Sequence, residues 1–358
     1  MYGEELLSVS HEISLGVVDQ SVLRKGAKAS EALAETVQLA QAVEHFGYAR
    51  YWVAEHHNST SFTGNAPEIL VGQIAANTSS IRVGSGGVML PHYSALKVAE
   101  QFRMLDAFHP GRIELGIGRA PGSDQLTAGA LAFPRSPIDI NRFPQMVADL
   151  LGFLNGQVEN DHPFAGIKVQ AGPQPECVPD VWVLGSSDFS ARLAAMLGLP
   201  FSFADFFGNT GAHGPLVADL YREQFKPSEY LAEPRMNVAV QALCAPTEKE
   251  AQFLASSRNL NKVAQHLGLK EGLLSPEEAS QYKLPAVAQQ HIGSLKPSYV
   301  DGDPGQIREK ILELAGRYGT NEVSVVTTCY SYEHRERSYG LIAEAFGVSE
   351  DPTDTAPQ

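Results

Sequence analysis

Cysteine is scarce: Cys177, Cys244 and Cys329 are the only three in 358 residues, far apart and without a CxxC pair. So sparse and odd a set argues against a disulfide framework and suits a reducing compartment. Basic residues are also few, 27 against 41 acidic, for a formal net charge of -14. That excess repels nucleic-acid phosphates and anionic membranes, so neither is an expected partner. No apolar run approaches the roughly 20 residues that a membrane-spanning helix needs. The opening MYGEELLSVSHEISLGVV places two glutamates and no basic residue ahead of its apolar part, which makes a poor signal peptide. A cytoplasmic location is expected. Also missing are HExxH, HxH and cysteines at ligand spacing, so no metal site is expected. The GxGxxG fingerprint is absent as well. In GIGRAPG (116–122) the continuation SDQLTAG is a poor helix start, which weighs against a doubly wound dinucleotide fold.

What is present is a repeated alternation. With 43% hydrophobic and 19% charged residues, the chain can build a sizeable core. Eight short apolar runs read as strands: 13–18, 50–54, 81–90, 112–118, 181–185, 200–205, 236–244 and 322–328. Several are apolar on successive residues, as expected where both faces of a sheet are covered. Helical patterns lie between them. In 31–46, Leu33, Val37, Ala40 and Val43 share a stripe. In 303–318, Asp303 is placed to cap, Pro304 opens the helix, and Ile307, Ile311, Leu314 and Tyr318 form its buried face. Segment 187–198 opens on capping residues and closes on glycine.

Eight strand–helix repeats predict an α/β fold, a closed (β/α)8 TIM barrel. It would be a single domain over 1–348, with a disordered tail at 349–358. The residues beyond a typical barrel are expected in insertions after the fourth and seventh strands, at 120–139 and 245–303; loops this long often serve as lids.

Barrel chemistry gathers at the C-terminal strand ends. The second strand ends in Glu55, His56 and His57, the third in Leu90, Pro91, His92 and Tyr93, the fourth in Arg119, and the fifth in Ser186, Ser187, Asp188, Phe189 and Ser190. Neighbouring side chains on an extended segment face opposite ways, so one imidazole is expected at the barrel mouth and the other in a structural role. The mouth-facing one could move protons near neutral pH. The turn VLGSSDFSARLAA leads into a helix whose free N–H groups would favour an anion, and Arg119 could grip a phosphate through two hydrogen bonds. Capping by Ser187 or Asp188 would explain the same residues without a ligand. The run GSGG (84–87) marks either a bend or a place where a flat ligand meets bare backbone.

The stretches AEHHNSTSFTGN, VGSGGVMLPHYSALKVAEQFRMLDAFHPGRIELGIGR and VLGSSDFSARLAAMLGLP, in that order, together with GDPGQIREKILELAGRYGTNEVSVVTT, resemble bacterial luciferase-like flavin-dependent monooxygenases. The resemblance covers nearly all of the chain except 120–145 and 245–300. It implies a barrel that binds reduced FMN at the strand ends. His56 would do acid–base chemistry beside the flavin, and Arg119, Ser187 and Ser190 would hold the phosphate, with Ser186 contributing through its backbone. A non-proline cis peptide would lie at Ser85–Gly86 against the ring. Gly118 stands where the light-emitting members carry a cysteine, and Ser186 where they carry a glutamate; both departures favour the broader monooxygenase group. The activity implied is oxygenation of a small organic substrate by reduced FMN and O2, with a separate flavin reductase and a homodimeric enzyme. Tyr93, Phe203 and Phe206 are candidate pocket walls. The rival expectations are an F420-dependent hydride-transfer oxidoreductase on the same barrel and a non-catalytic flavin-binding protein.

Overall fold

In the computed structural model, residues 13–120, 122–158, 160–170, 178–208, 210–264 and 267–348 are described. The chain's first residues, Cys177 and the expected disordered tail lie outside them. Each apolar run is a strand: β1 (Ser14–Asp19), β2 (Arg50–Val53), β3 (Arg82–Met89), β4 (Ile113–Gly118), β5 (Asp180–Gly185), β6 (Phe201–Ala204), β7 (Met236–Cys244) and β9 (Glu322–Val326). All neighbours are parallel. The order β1-β2-β3-β4-β5-β6-β7-β9 returns to β1, so the sheet closes into an eight-stranded barrel ringed by helices. A short extra strand, β8 (Val300–Gly302), lies in the second insertion and pairs with the end of β7. Three helices precede it there, Glu248–Ala264, Pro276–Gln281 and Ala286–Leu295.

The two faces of the barrel carry different chemistry. Outward residues such as Leu15, Val17, Tyr51, Val53, Leu115, Ile117, Val238 and Val323 pack with the helices in one large apolar core. Inward residues at the N-terminal end are charged. Glu114, fully buried, accepts a hydrogen bond from Trp52 Nε1 at 2.6 Å. Arg50 and Arg82 stand 3.3 and 3.0 Å from it, at ion-pair distance but without hydrogen-bond alignment. Glu322 takes Arg50 and Arg235, each at 2.6 Å, and Asp180 takes Arg82. Three guanidiniums therefore face three carboxylates, and Arg50 and Arg235 also lie over the Trp182 ring at 4.7 and 4.9 Å. Burial alone would raise the pKa of Glu322, but Arg235 and Arg50 outweigh it and hold the carboxyl below its ordinary range.

The helix predictions hold with shifts of face. Asp303 caps the helix Pro304–Tyr318 by accepting from the Gln306 N–H, and Ile307, Ile311, Ala315 and Tyr318 are its buried residues, with Leu314 only partly covered. In Ala29–His45 the buried set is Ala32, Thr36, Leu39, Ala40 and Val43, which moves Leu33 and Val37 to its flank. A buried polar residue, Thr36, displaces the stripe: its hydroxyl bonds to Asp19 and Ser21, each at 3.0 Å.

Candidate active site

At the C-terminal end of the barrel the inward positions shrink. Gly86, Gly87, Gly118, Gly185, Ser202, Ala204 and Ala239 leave a cavity of about 300 Å³, floored by Val18, Trp52 and Leu184 and walled by Met89, Ile140, Phe206 and Phe207. The lack of side chains makes the space. The strands also approach so closely that a Cβ on Gly116 would sit 2.2 Å from the Ser85 carbonyl. The non-proline cis peptide lies at Gly86–Gly87, one residue later than Ser85–Gly86. Ser85 is instead a buried anchor whose hydroxyl donates to the Gly116 carbonyl at 2.8 Å.

One end of the cavity gathers a guanidinium and three serines. Arg119 leaves β4 with its guanidinium stacked 4.2 Å over the Phe189 ring, and it has no carboxylate partner among the described residues. Ser186, Ser187 and Ser190 line the same cavity. Ser187 occupies the cap position of the helix Asp188–Leu197, yet its hydroxyl makes no capping bond. Asp188 pairs with His213 at 3.1 Å. Ser190 is 3% exposed, and Gly185 makes room for it, since a Cβ there would fall 2.3 Å from the Ser190 Oγ. First-turn N–H groups, serine hydroxyls and an unneutralised guanidinium thus converge, an arrangement suited to a phosphate.

The EHH triplet divides its labour. Glu55, 2% exposed, accepts from the Met89 N–H at 2.9 Å and the Tyr93 hydroxyl at 2.8 Å, and stands 2.7 Å from His57 Nε2. His57 is thereby tied into the loop framework. His56 lines a separate polar cleft of about 740 Å³ with Phe62, Gly122, Asp124 and Asn261. Its ring lies 4.8 Å from Phe62, and its Nδ1 is buried without a partner. Met89 stands between the two spaces: it lines the first, and its Cγ is 3.2 Å from where a Cβ of Gly122 would be on the second.

Burial first, then the neighbouring His57 and Lys262 charges, push the His56 pKa down to about 4. His56 is therefore a neutral imidazole at physiological pH, with one nitrogen able to accept a proton. Between pH of about 6.5 and about 4 the unfolded chain takes up a proton there that the folded protein refuses. Stability should therefore fall as pH is lowered through that window. His56→Gln should flatten this part of the curve, as measured by urea titration at a series of pH values.

Of the three predicted pocket walls, only Phe206 lines the cavity. Phe203 faces the helix layer, 5.4 Å from the Tyr318 ring, because Ser202 and Ala204 take the inward positions of β6. Tyr93 is held by Glu55 and lines a third, smaller space with Arg135 and Arg142. Trp52, Leu184 and Phe207 were missed as lining residues. Period-two alternation along β2 and β5 carries a signal for the first two, but Phe207 depends on how the turn after β6 folds.

A closed (β/α)8 barrel with a glycine-lined cavity at the C-terminal ends of its strands belongs to the class of barrel proteins that carry their chemistry there. Residues 13–321 match the family described as luciferase-like monooxygenase, and the chain belongs to that family. A luciferase-like monooxygenase of Escherichia coli (strain K12) is 38% identical over 92% of this chain and 96% of its own. The N-acetyl-S-alkylcysteine monooxygenase of Bacillus subtilis (strain 168) is 36% identical over 93% and 98%. The crystal structure of apo-MsnO8 superposes with a TM-score of 0.84 at 35% identity, covering 94% of this chain and 99% of that one. The barrel itself is shared more widely. A type II Baeyer-Villiger monooxygenase component in complex with FMN has a TM-score of 0.67 at 19% identity, and an F420-dependent secondary alcohol dehydrogenase 0.63 at 16%. The protein is an oxidoreductase of the monooxygenase type. Among the described residues no helix is long and apolar enough to cross a membrane.

Proposed function

We propose that this protein is an FMN-dependent monooxygenase that uses O2 to oxygenate a small organic substrate. A separate flavin reductase would supply the reduced FMN, and the working unit would be a homodimer. One arrangement carries the reading: the unneutralised Arg119 and the uncapped serine turn meet on the cavity that the glycines of β3 and β4 leave open. Arg119, Ser187, Ser190 and the backbone at Ser186 would hold the phosphate. Gly86 and Gly87 would offer bare backbone to the flat ring system. Reduced FMN bound there would supply the two electrons that let one oxygen atom enter the substrate while the other leaves as water. Trp52, Leu184, Met89 and Phe206 would exclude water from the reacting face. His56, neutral, lines the cleft on the other side of Met89 rather than this cavity, and would accept a proton at its free ring nitrogen from a substrate that reaches past Met89.

The deciding assay is oxygen consumption with chemically reduced FMN. N-acetyl-S-alkylcysteines are the first substrates to try, because a relative acts on that class. Binding of reduced F420 with no binding of reduced FMN would overturn the proposal. His56→Ala should lower coupled turnover by about 10²–10⁴-fold while FMN affinity stays within a factor of two or so. Unchanged turnover would remove His56 from the chemistry and leave room for a flavin-binding protein without that step. The homodimer finds support in Ile69, Met104 and Phe108, exposed apolar residues on the adjoining helices Pro67–Ala76 and Ala95–Phe108. Sedimentation equilibrium tests it.

A further inference from the structure

On the helix Glu248–Ala264, two cations one turn apart face a single aromatic ring. Arg258 is buried, lies 4.3 Å over Tyr299, and is neutralised by Asp301 through hydrogen bonds of 2.8 and 2.7 Å. Lys262, four residues on, holds its Nζ 5.9 Å from the same ring and has no carboxylate partner among the described residues. Asp301 takes both guanidinium nitrogens of Arg258 and is not at ion-pair distance from Lys262. Burial and the Arg258 charge push the Lys262 pKa down to about 8, so near neutral pH the ammonium is still present but poorly compensated.

Its surroundings point towards a ligand. His56 is near enough for the Lys262 charge to depress its pKa. Two buried polar atoms beside this lysine lack partners, His56 Nδ1 and the hydroxyl of Tyr299, a residue only 5% exposed. Such atoms are costly to leave unpaired unless something arrives to satisfy them. Tyr299 packs on the turn beyond Phe206 and Phe207, for a Cβ on Gly208 would lie 2.8 Å from its Cε1. Asn261, beside Lys262 in the chain, lines the polar cleft with His56. The lysine therefore lies between the loop after β2 and the segment beyond β7. The phosphate-binding turn follows β4 and β5, on the opposite side of the closed sheet. A second anion, distinct from the flavin phosphate, is the ligand that this geometry suits.

We propose that Lys262 and Tyr299 form a subsite for the carboxylate of an organic substrate and so set the enzyme's preference for acids over their neutral counterparts. The inference rests on the monooxygenase reading for what happens at the other end of the substrate. Asn261 and Ala264, on either side of Lys262 in the same helix, line the polar cleft, while Lys262 and Tyr299 stand behind its wall. The carboxylate would pass through that wall to the ammonium and the phenol hydroxyl, with the apolar remainder reaching past Met89 towards the glycine-lined cavity. Arg258, Asp301, Tyr299 and His56 are the charged or titratable groups that face Lys262 from the helix, the β8 segment and the loop after β2.

The test is calorimetric titration of FMN-loaded protein with N-acetyl-S-benzylcysteine and with its methyl ester. The acid should bind roughly 10–100-fold more tightly than the ester near neutral pH. Lys262→Met should erase that preference while leaving ester affinity alone, and Lys262→Arg should keep it. Raising the solution to about pH 10 should weaken acid binding in the unsubstituted protein but not in Lys262→Arg, because a guanidinium stays charged there. Equal affinity for acid and ester, a preference that survives Lys262→Met, or no binding of either compound overturns the proposal. If Lys262→Met does not fold, as judged by circular dichroism, Lys262→Gln replaces it. Protein that binds no FMN counts against the cofactor reading instead, and the acid-to-ester comparison on flavin-free protein still decides this one.

Discussion

Arg119→Ala is expected to weaken FMN binding by roughly 30- to 1,000-fold, corresponding to about 2–4 kcal/mol for a charge-assisted pair in a partly enclosed site. The guanidinium has no competing carboxylate among the described residues, and Phe189 holds it at 4.2 Å beside the serine turn, so its charge is committed to whatever enters there. Riboflavin, which lacks only the phosphate, supplies the control. Its affinity should change little in the variant, and the advantage of FMN over riboflavin should largely disappear. Arg119→Lys should fall between, since it keeps the charge but loses the fork and the stacking on Phe189. Fluorescence-quenching titrations with both flavins measure the effect. Equal losses for FMN and riboflavin would mean that Arg119 shapes the cavity rather than binding phosphate.

The largest stability effect is expected at Glu114, far from the reacting end. Glu114→Ala removes the acceptor for Trp52 Nε1 and one of two counter-charges for the buried Arg50 and the one-third exposed Arg82. Taking a partner from a buried charge such as Arg50 costs up to about 3–5 kcal/mol. For a chain of this size that corresponds to a melting-temperature drop of roughly 4–7 °C. Glu114→Gln keeps an oxygen for the indole and should lose less. Calorimetry of the two variants separates a network held by charge from one held by shape. A drop of only a degree or two for Glu114→Ala would show that Glu322 and Asp180 suffice to neutralise the interior.

How much of the site could be read from the sequence depended on how local each feature is. The serine turn and Arg119 could be placed at strand ends from the chain alone, because an apolar run that stops at polar residues is a short-range pattern. Extended-chain alternation led to the expectation that His56 and His57 face opposite ways, yet both line one cleft, and they differ in their partners: His57 stands 2.7 Å from Glu55, two residues away, which Tyr93 and the Met89 N–H also claim. Phe203 was misplaced because an apolar strand buried on both faces carries no sign of which side faces the barrel axis; only the register of β6 with β5 and β7 supplies it. The short β8 and the Lys262–Tyr299 cluster lie in the insertion, where residues distant in sequence meet.

The sequence by itself determined the alternation of strands and helices, the cap at Asp303 with the helix start at Pro304, and the residues at the ends of β4 and β5, because hydrophobic periodicity and helix-start chemistry act over a few neighbouring residues. The tertiary structure alone decided which imidazole is tied to Glu55, where the cis peptide falls, and which cations are left without a carboxylate among the described residues. Those outcomes depend on the order in which the strands close, and closure brings together groups such as Arg50 and Glu322 that stand hundreds of positions apart.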